Sequence, residues 1–191
     1  MTRVQLASRT SRLFGYTVSV YLADDGAGGT VLVDTGLPRA WPGLRAALAG
    51  HGLRLRGAVV THAHEDHAGN VAPLAAAGVP LAMGAHTRAL LAEPEAIALY
   101  RRATWGSRAP LAADAPRFDP APLTLVATPG HAVDHHVVWD ARRETVYGGD
   151  LFLGVKVRIA HMEEEPRALV RALRAVAALR PRRLFDGHRG L

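Results

Sequence analysis

Apolar and polar residues alternate along Tyr16-Thr-Val-Ser-Val-Tyr-Leu22, the two-residue period of a strand with a buried face. Val4 to Ser8 and Thr30-Val-Leu-Val33 read as strands too, and the Gly-rich turn from Asp24 to Gly29 makes the set a β-meander. The period then changes: Trp41, Leu44 and Leu48 recur at helical spacing over residues 40 to 50, and Gly50 and Gly52 end that helix. Ala58-Val-Val60 predicts a short strand that delivers the chain to His62, with a loop leading into a helix over Gly69 to Ala77. Pro80 to Met83 predicts another strand, and Thr87 to Tyr100 a helix that Pro94 kinks or divides. Residues 101 to 122 are rich in Pro, Ala and Arg without clear periodicity, and predict an excursion loop. Strands resume at Leu123-Thr-Leu-Val126, His136-Val-Val-Trp139 and Thr145-Val-Tyr147. Glu163-Glu-Glu-Pro166 opens a last helix with Leu169, Leu173, Val176 and Leu179 as its buried stripe, and Pro181 stops it. Thr30-Val-Leu-Val-Asp34 and Thr145-Val-Tyr-Gly-Gly-Asp150, each a strand leading to an aspartate, hint at an internal duplication.

A length of 191 residues predicts a single domain, 1–191, with a sizeable core. The apolar runs fall far short of the roughly 18 residues a membrane span requires, so a soluble, cytoplasmic protein with no membrane partner is expected. There is no cysteine, which excludes disulfides and thiolate ligands. The formal charge of +6 comes almost wholly from arginine, Lys156 being the only lysine. Those arginines are scattered rather than massed in a stripe, which disfavours nucleic acid as a partner and leaves a small-molecule substrate. No pattern marks an oligomer interface.

Candidate chemistry gathers where strands end. His62, His64, Asp66 and His67 lie in Thr61-His-Ala-His-Glu-Asp-His-Ala-Gly-Asn70; His131, Asp150 and His188 each follow a predicted strand. In an extended segment residues two apart face the same side, so His62 and His64 can converge on one ion. Asp66 and His67 follow as the chain turns and can face a second. Nitrogen and carboxylate donors with an open position suit catalytic zinc, and iron or manganese accept the same donors.

These residues resemble the metallo-β-lactamase-fold hydrolase superfamily, in order and over nearly the whole chain, with His62-x-His64-x-Asp66-His67 as the specific part. The resemblance implies an α/β fold: a four-layer αββα sandwich, two mixed β-sheets flanked by helices. It implies two divalent metal ions, zinc first, with His62, His64 and His131 on one, Asp66, His67 and His188 on the other, and Asp150 bridging. Val33-Asp34-Thr-Gly36 resembles the family's early aspartate motif, implying that Asp34 orients the site. A metal-bridging hydroxide is then the expected nucleophile, with Asp66 as a ligand that also orients it.

Departures narrow the kinship. Without a cysteine ligand, true β-lactamase is disfavoured, and the resemblance moves toward glyoxalase II-like thioesterases, lactonases and phosphodiesterases. Leu151-Phe-Leu-Gly-Val-Lys156 lacks glyoxalase II's Gly-Cys-Gly-Arg stretch, and no tyrosine follows Asp150 as in acyl-homoserine lactonases. The expected reaction is cleavage of an ester, thioester or lactone bond. Alternatives are a phosphodiesterase or nuclease-type hydrolase, and a mononuclear iron oxygenase resembling the persulfide dioxygenases. Lys156, Arg158, His161 and Trp105 are candidate substrate contacts, Trp105 as part of a lid, although a solvated strand face for the first two and a structural role for His161 are the simpler readings, and an aromatic anchor explains Trp105 equally well. Of His135 and His136, one is expected near the ligands and the other in the structural frame.

Overall fold

The alternating stretches pair into two sheets. Strands β1 (Thr2–Arg9), β2 (Gly15–Asp24), β3 (Thr30–Val33), β4 (Leu55–Val59) and β5 (Leu81–Ala82) lie side by side in that order; β6 (Leu123–Ala127), β7 (His136–Asp140), β8 (Thr145–Tyr147) and β9 (Arg183–Phe185) form the second sheet. The structure, a computed structural model, describes residues 2–9, 15–50, 52, 55–94, 96–153 and 164–189.

Period-two alternation sorts the side chains of the central strands β2, β3, β7 and β8 onto two largely buried faces, so that these strands are covered on both sides. In the first sheet Val18, Val20, Leu32 and Ala58 face outward and pack with Leu44 of helix α1 (Trp41–Gly50). Helix α2 (Glu65–Ala68) adds Ala68 to that layer, α3 (Val71–Ala76) adds Val71 and Leu74, and α4 (Ala85–Ala92) adds Leu91. The opposite face presents Tyr21, Val31, Val33 and Val59, which meet Leu123, Val138, Tyr147 and Phe185 of the second sheet. The next residues along those strands, Val137 and Val146, turn outward onto Ala172 and Val176 of α6 (Pro166–Ala178). The four layers are those of the αββα sandwich. Fully buried leucines such as Leu32 contribute about 2 kcal/mol each to holding them together.

One path is traced twice. β1, β2 and β3 run antiparallel, and a connection through α1 then sets β4 parallel to β3; β6, β7 and β8 run antiparallel, and a connection containing α6 sets β9 parallel to β8. Parallel pairing aims the exits of β3 and β4 at one end, and those of β8 and β9 likewise, which leaves Asp34 and Asp150 at corresponding strand exits. The repeated strand-then-aspartate pattern thus has a topological counterpart.

Two elements differ from the sequence expectation. Asp66 and His67 ride a helical turn, α2, rather than a loop, and the following helix begins only at Val71. The helix expected over 87–100, with a kink or break at Pro94, is divided there as expected into α4 and α5 (Leu99–Trp105). α5 extends into the stretch 101–122 predicted as loop: it buries none of its residues, so it carries no apolar period to read. The rest of that stretch lies against the first sheet through Leu111 and Ala115. Among the described residues no helix is long and apolar enough to cross a membrane.

Candidate metal centre

β4 ends at Val59, and the buried Val60-Thr61 step brings His62 to the rim shared by the two sheets. α2 then turns Asp66 and His67 inward, both buried. From the second sheet come His131, between β6 and β7, Asp150 beyond β8 and His188 beyond β9. The donor atoms of His62, His64 and His131 all lie within 4.8 Å of one another, and so do those of Asp66, His67, Asp150 and His188. Asp150 stands between the groups: Oδ1 is 3.1 Å from Nε2 of His67 and of His188, and Oδ2 is 3.6 Å from Nε2 of His131. Asp66 Oδ2 is 3.7 Å from His188 Nε2.

The far nitrogens of the rings are held from behind, which fixes the direction each near nitrogen faces. Asp34 Oδ2 lies 2.8 Å from His67 Nδ1, and its Oδ1 accepts the Thr61 backbone N–H at 2.8 Å. These bonds hold Asp34 at φ 59°, a left-handed conformation uncommon outside glycine. Thr61 Oγ1 reaches His62 Nδ1 at 3.0 Å, Glu164 Oε1 reaches His131 Nδ1 at 3.0 Å, and the Thr17 carbonyl accepts from His188 Nδ1 at 3.0 Å.

Charge divides along the same line as the donors. Burial, then the neighbouring histidines, hold the His62 pKa well below its ordinary value, and burial lowers that of His64. Burial also opposes charge on His67, but Asp150, Asp66 and Asp34 outweigh it and raise the pKa well above the usual value. Burial would raise the Asp150 pKa, yet His67 and His188 pull it well below the carboxylate range. His62 and His64 are therefore neutral rings, while His67 and Asp150 form an ion pair.

The donor set fits divalent metal. His62 Nε2 is buried without a hydrogen-bond partner, a costly state that a coordinated cation relieves, and His67 Nε2 meets Asp150 Oδ1 only as an ion pair at 3.1 Å, without hydrogen-bond geometry. His64 Nδ1 and His131 Nε2 face each other at 3.1 Å. Two nitrogens bound tetrahedrally at about 2.1 Å to one ion would stand roughly 3.4 Å apart. The sequence model of the metallo-beta-lactamase superfamily matches residues 13–188. The chain belongs to this superfamily.

Among relatives of this superfamily member is a Caenorhabditis elegans protein named beta-lactamase-like protein 2 homolog, 24% identical over 195 residues that cover 96% of this chain and 62% of that one. The thioesterase pkgB of Emericella nidulans is 29% identical over 167 residues, 85% of this chain and 44% of that one. The chain thus spans 62% and 44% of the lengths of these two curated relatives. A solved structure of TTHA1623 in a di-iron-bound form superposes with a TM-score of 0.77 at 27% identity, covering 98% of this chain and 92% of that one.

The structure of this metallo-beta-lactamase superfamily chain brings together all seven donors read from the sequence, with Asp34 behind them. Lys156, Arg158 and His161 lie outside the described residues. Trp105 is partly buried against the core of the first sheet, with the Arg101 guanidinium 5.0 Å from its ring centre. Several participants carried no signal in isolation. Glu65, between two candidate ligands, is buried and paired with Arg101 at 2.7 Å and Arg108 at 3.2 Å. Asp134 accepts the Ala63 N–H at 2.8 Å, bracing the turn between His62 and His64. Glu164 belongs to an acidic run that reads as helix-dipole compensation; its neighbour Glu165 plays that part, capping α6 by accepting from Arg167 and Ala168. Of the paired histidines, His135 is buried among the donor rings, while His136 turns to the Asp134 carbonyl.

Proposed function

We propose that the protein is a binuclear metal-dependent hydrolase that cleaves an ester, thioester or lactone bond in a small-molecule substrate. One ion is assigned to His62, His64 and His131, the other to Asp66, His67 and His188, with Asp150 shared. The observation that carries this reading is the position of the Asp150 carboxylate, within 3.1 Å of two nitrogens of one group and 3.6 Å of a nitrogen of the other. Held by these residues, divalent ions would supply Lewis acidity, lowering the pKa of a bound water to about 7 and polarising a substrate carbonyl.

The residues themselves do the rest. His62, kept neutral by burial, offers Nε2 as a lone pair, because Thr61 occupies Nδ1. Asp34 fixes His67 through Nδ1, so that Nε2 faces Asp150. Asp66, buried beside His67, is assigned to orient the attacking water as well as to hold metal. Imidazole and carboxylate donors suit catalytic zinc; the relative solved with two irons supports iron as the other candidate. The thioesterase relative supports a thioester among the substrate bonds.

The test is a panel of thioester, lactone, phosphodiester and β-lactam compounds given to the metal-loaded protein, with oxygen uptake followed in parallel. Turnover of a thioester or lactone without oxygen consumption is expected. Oxygen-dependent turnover of a persulfide, or activity confined to phosphodiesters, would replace this reading.

A further inference from the structure

We infer that His135 is a positioning residue for the metal centre: its ring, oriented by Thr128, holds the backbone N–H of Asp150 and thereby sets where the shared carboxylate stands. The inference rests on the proposal that two ions share Asp150.

His135 is 1% exposed and belongs to neither donor group. Its Nε2 lies 3.2 Å from the backbone nitrogen of Asp150, and its Nδ1 lies 2.9 Å from Thr128 Oγ1. A backbone N–H only donates, so Nε2 must accept; the ring proton then sits on Nδ1 and is donated to Thr128. Both nitrogens are committed, and the ring cannot coordinate an ion without abandoning one of these bonds. Its part is therefore to place other groups.

What it touches joins the two groups. The ring centre is 4.9 Å from that of His62 and 5.8 Å from that of His131. The Thr128 N–H donates to the His135 carbonyl at 2.8 Å, closing the base of the loop that carries His131. On the other side the chain presses close: a Cβ on Gly149, at φ 50°, would stand 2.8 Å from His135 Nε2 and 2.9 Å from Thr61 Oγ1. That closeness lets the peptide after Gly149 reach the ring, so Asp150 leaves β8 with its amide already anchored.

Two substitutions separate anchoring from packing. His135→Gln can keep an acceptor near the Nε2 position and so keep the Asp150 amide; His135→Asn keeps a donor near Nδ1 for Thr128 and drops Asp150. Each variant and the parent are stripped, reloaded with zinc and titrated with a competing chelator, and ions per chain are counted by elemental analysis. Melting of the stripped forms is recorded alongside. The parent and His135→Gln are expected to retain two ions, while His135→Asn loses about 10–100-fold in affinity for one of them, with stripped forms melting alike. Equal retention by both variants, or equal loss in both, overturns the positioning role, the latter because it reports packing. If His135→Asn does not fold, Thr128→Val is titrated instead: weaker binding of one ion is expected, and unchanged binding overturns the role. A parent that holds fewer than two ions refutes the shared-carboxylate reading itself, and this inference with it.

Discussion

In the proposed metal centre a proton and an ion would compete for the space between His67 and Asp150. Despite its burial, the His67 ring has a pKa raised well above 6.5 by Asp150, Asp66 and Asp34, and the Asp150 pKa is held well below 3.8 by His67 and His188. The metal-free protein at neutral pH therefore carries an imidazolium–carboxylate pair that an ion must break. Metal uptake is expected to release a proton, and affinity to rise with pH through the raised His67 value; calorimetry in buffers of different ionisation enthalpy reads this, and proton-neutral binding contradicts it. The sign for stability is opposite. The raised His67 stabilises the metal-free fold fully below pH 6.5 and less as pH rises through its folded value; the depressed Asp150 stabilises it above pH 3.8 and less as pH falls through its folded value. Melting of the stripped protein should peak between those limits. Asp34→Ala removes the partner of His67 and leaves the Thr61 N–H buried and unpaired. It should cost about 10–100-fold in metal affinity and about 1–3 kcal/mol of stability, measured by chelator competition and denaturant unfolding; retention of both refutes the role. The donors themselves were legible because histidines and aspartates at strand exits are chemically conspicuous. Their supports were not: Glu164 meets His131 from 33 residues away, a contact only the folded chain creates.

At the scale of elements, the turn that bears the candidate ligands is locked by charge as well as by apolar packing. Glu65 lies between His64 and Asp66, and its carboxylate, 3% exposed, takes Arg101 from α5 and Arg108 just beyond it, side chains 14% and 9% exposed. Removing one member of a buried ion network leaves the others uncompensated. Glu65→Gln is therefore expected to lower stability by about 3 kcal/mol and to loosen α2; a denaturant midpoint within error of the parent would show that the arginines are solvated instead. This network also explains why α5 escaped the sequence reading. Arg101 stacks on Trp105 and binds Glu65, so the helix is held by interactions that leave no hydrophobic period. β2 and α6 were readable for the converse reason: Val18, Val20 and Leu22 alternate with Tyr21, and the stripe read in α6 packs against the second sheet, although Leu169, Leu173 and Leu179 are only partly buried and full burial falls to Ala168, Ala172 and Val176. Pro94 marked a break that the structure contains, but the turn at Glu65–Ala68 is too short for any period to announce.

Across the whole molecule, the two sheets meet along an apolar seam through Tyr21, Val59, Val138 and Tyr147, and the candidate metal groups lie at the rim of that seam. His62, His64, Asp66 and His67 belong to the half built on the first sheet; His131, Asp150 and His188 belong to the half built on the second. Ions bound there would clasp the halves together, adding folding free energy that scales with the logarithm of metal concentration. The most direct test adds zinc stepwise to the stripped protein while hydrolysis of its best thioester or lactone substrate is followed, for the parent and for Asp150→Ala. Activity in the parent should climb until two equivalents are bound and then level, and Asp150→Ala should bind one ion and hydrolyse little. Full activity at one equivalent, or an Asp150→Ala protein that keeps two ions and parental rates, would contradict the shared carboxylate.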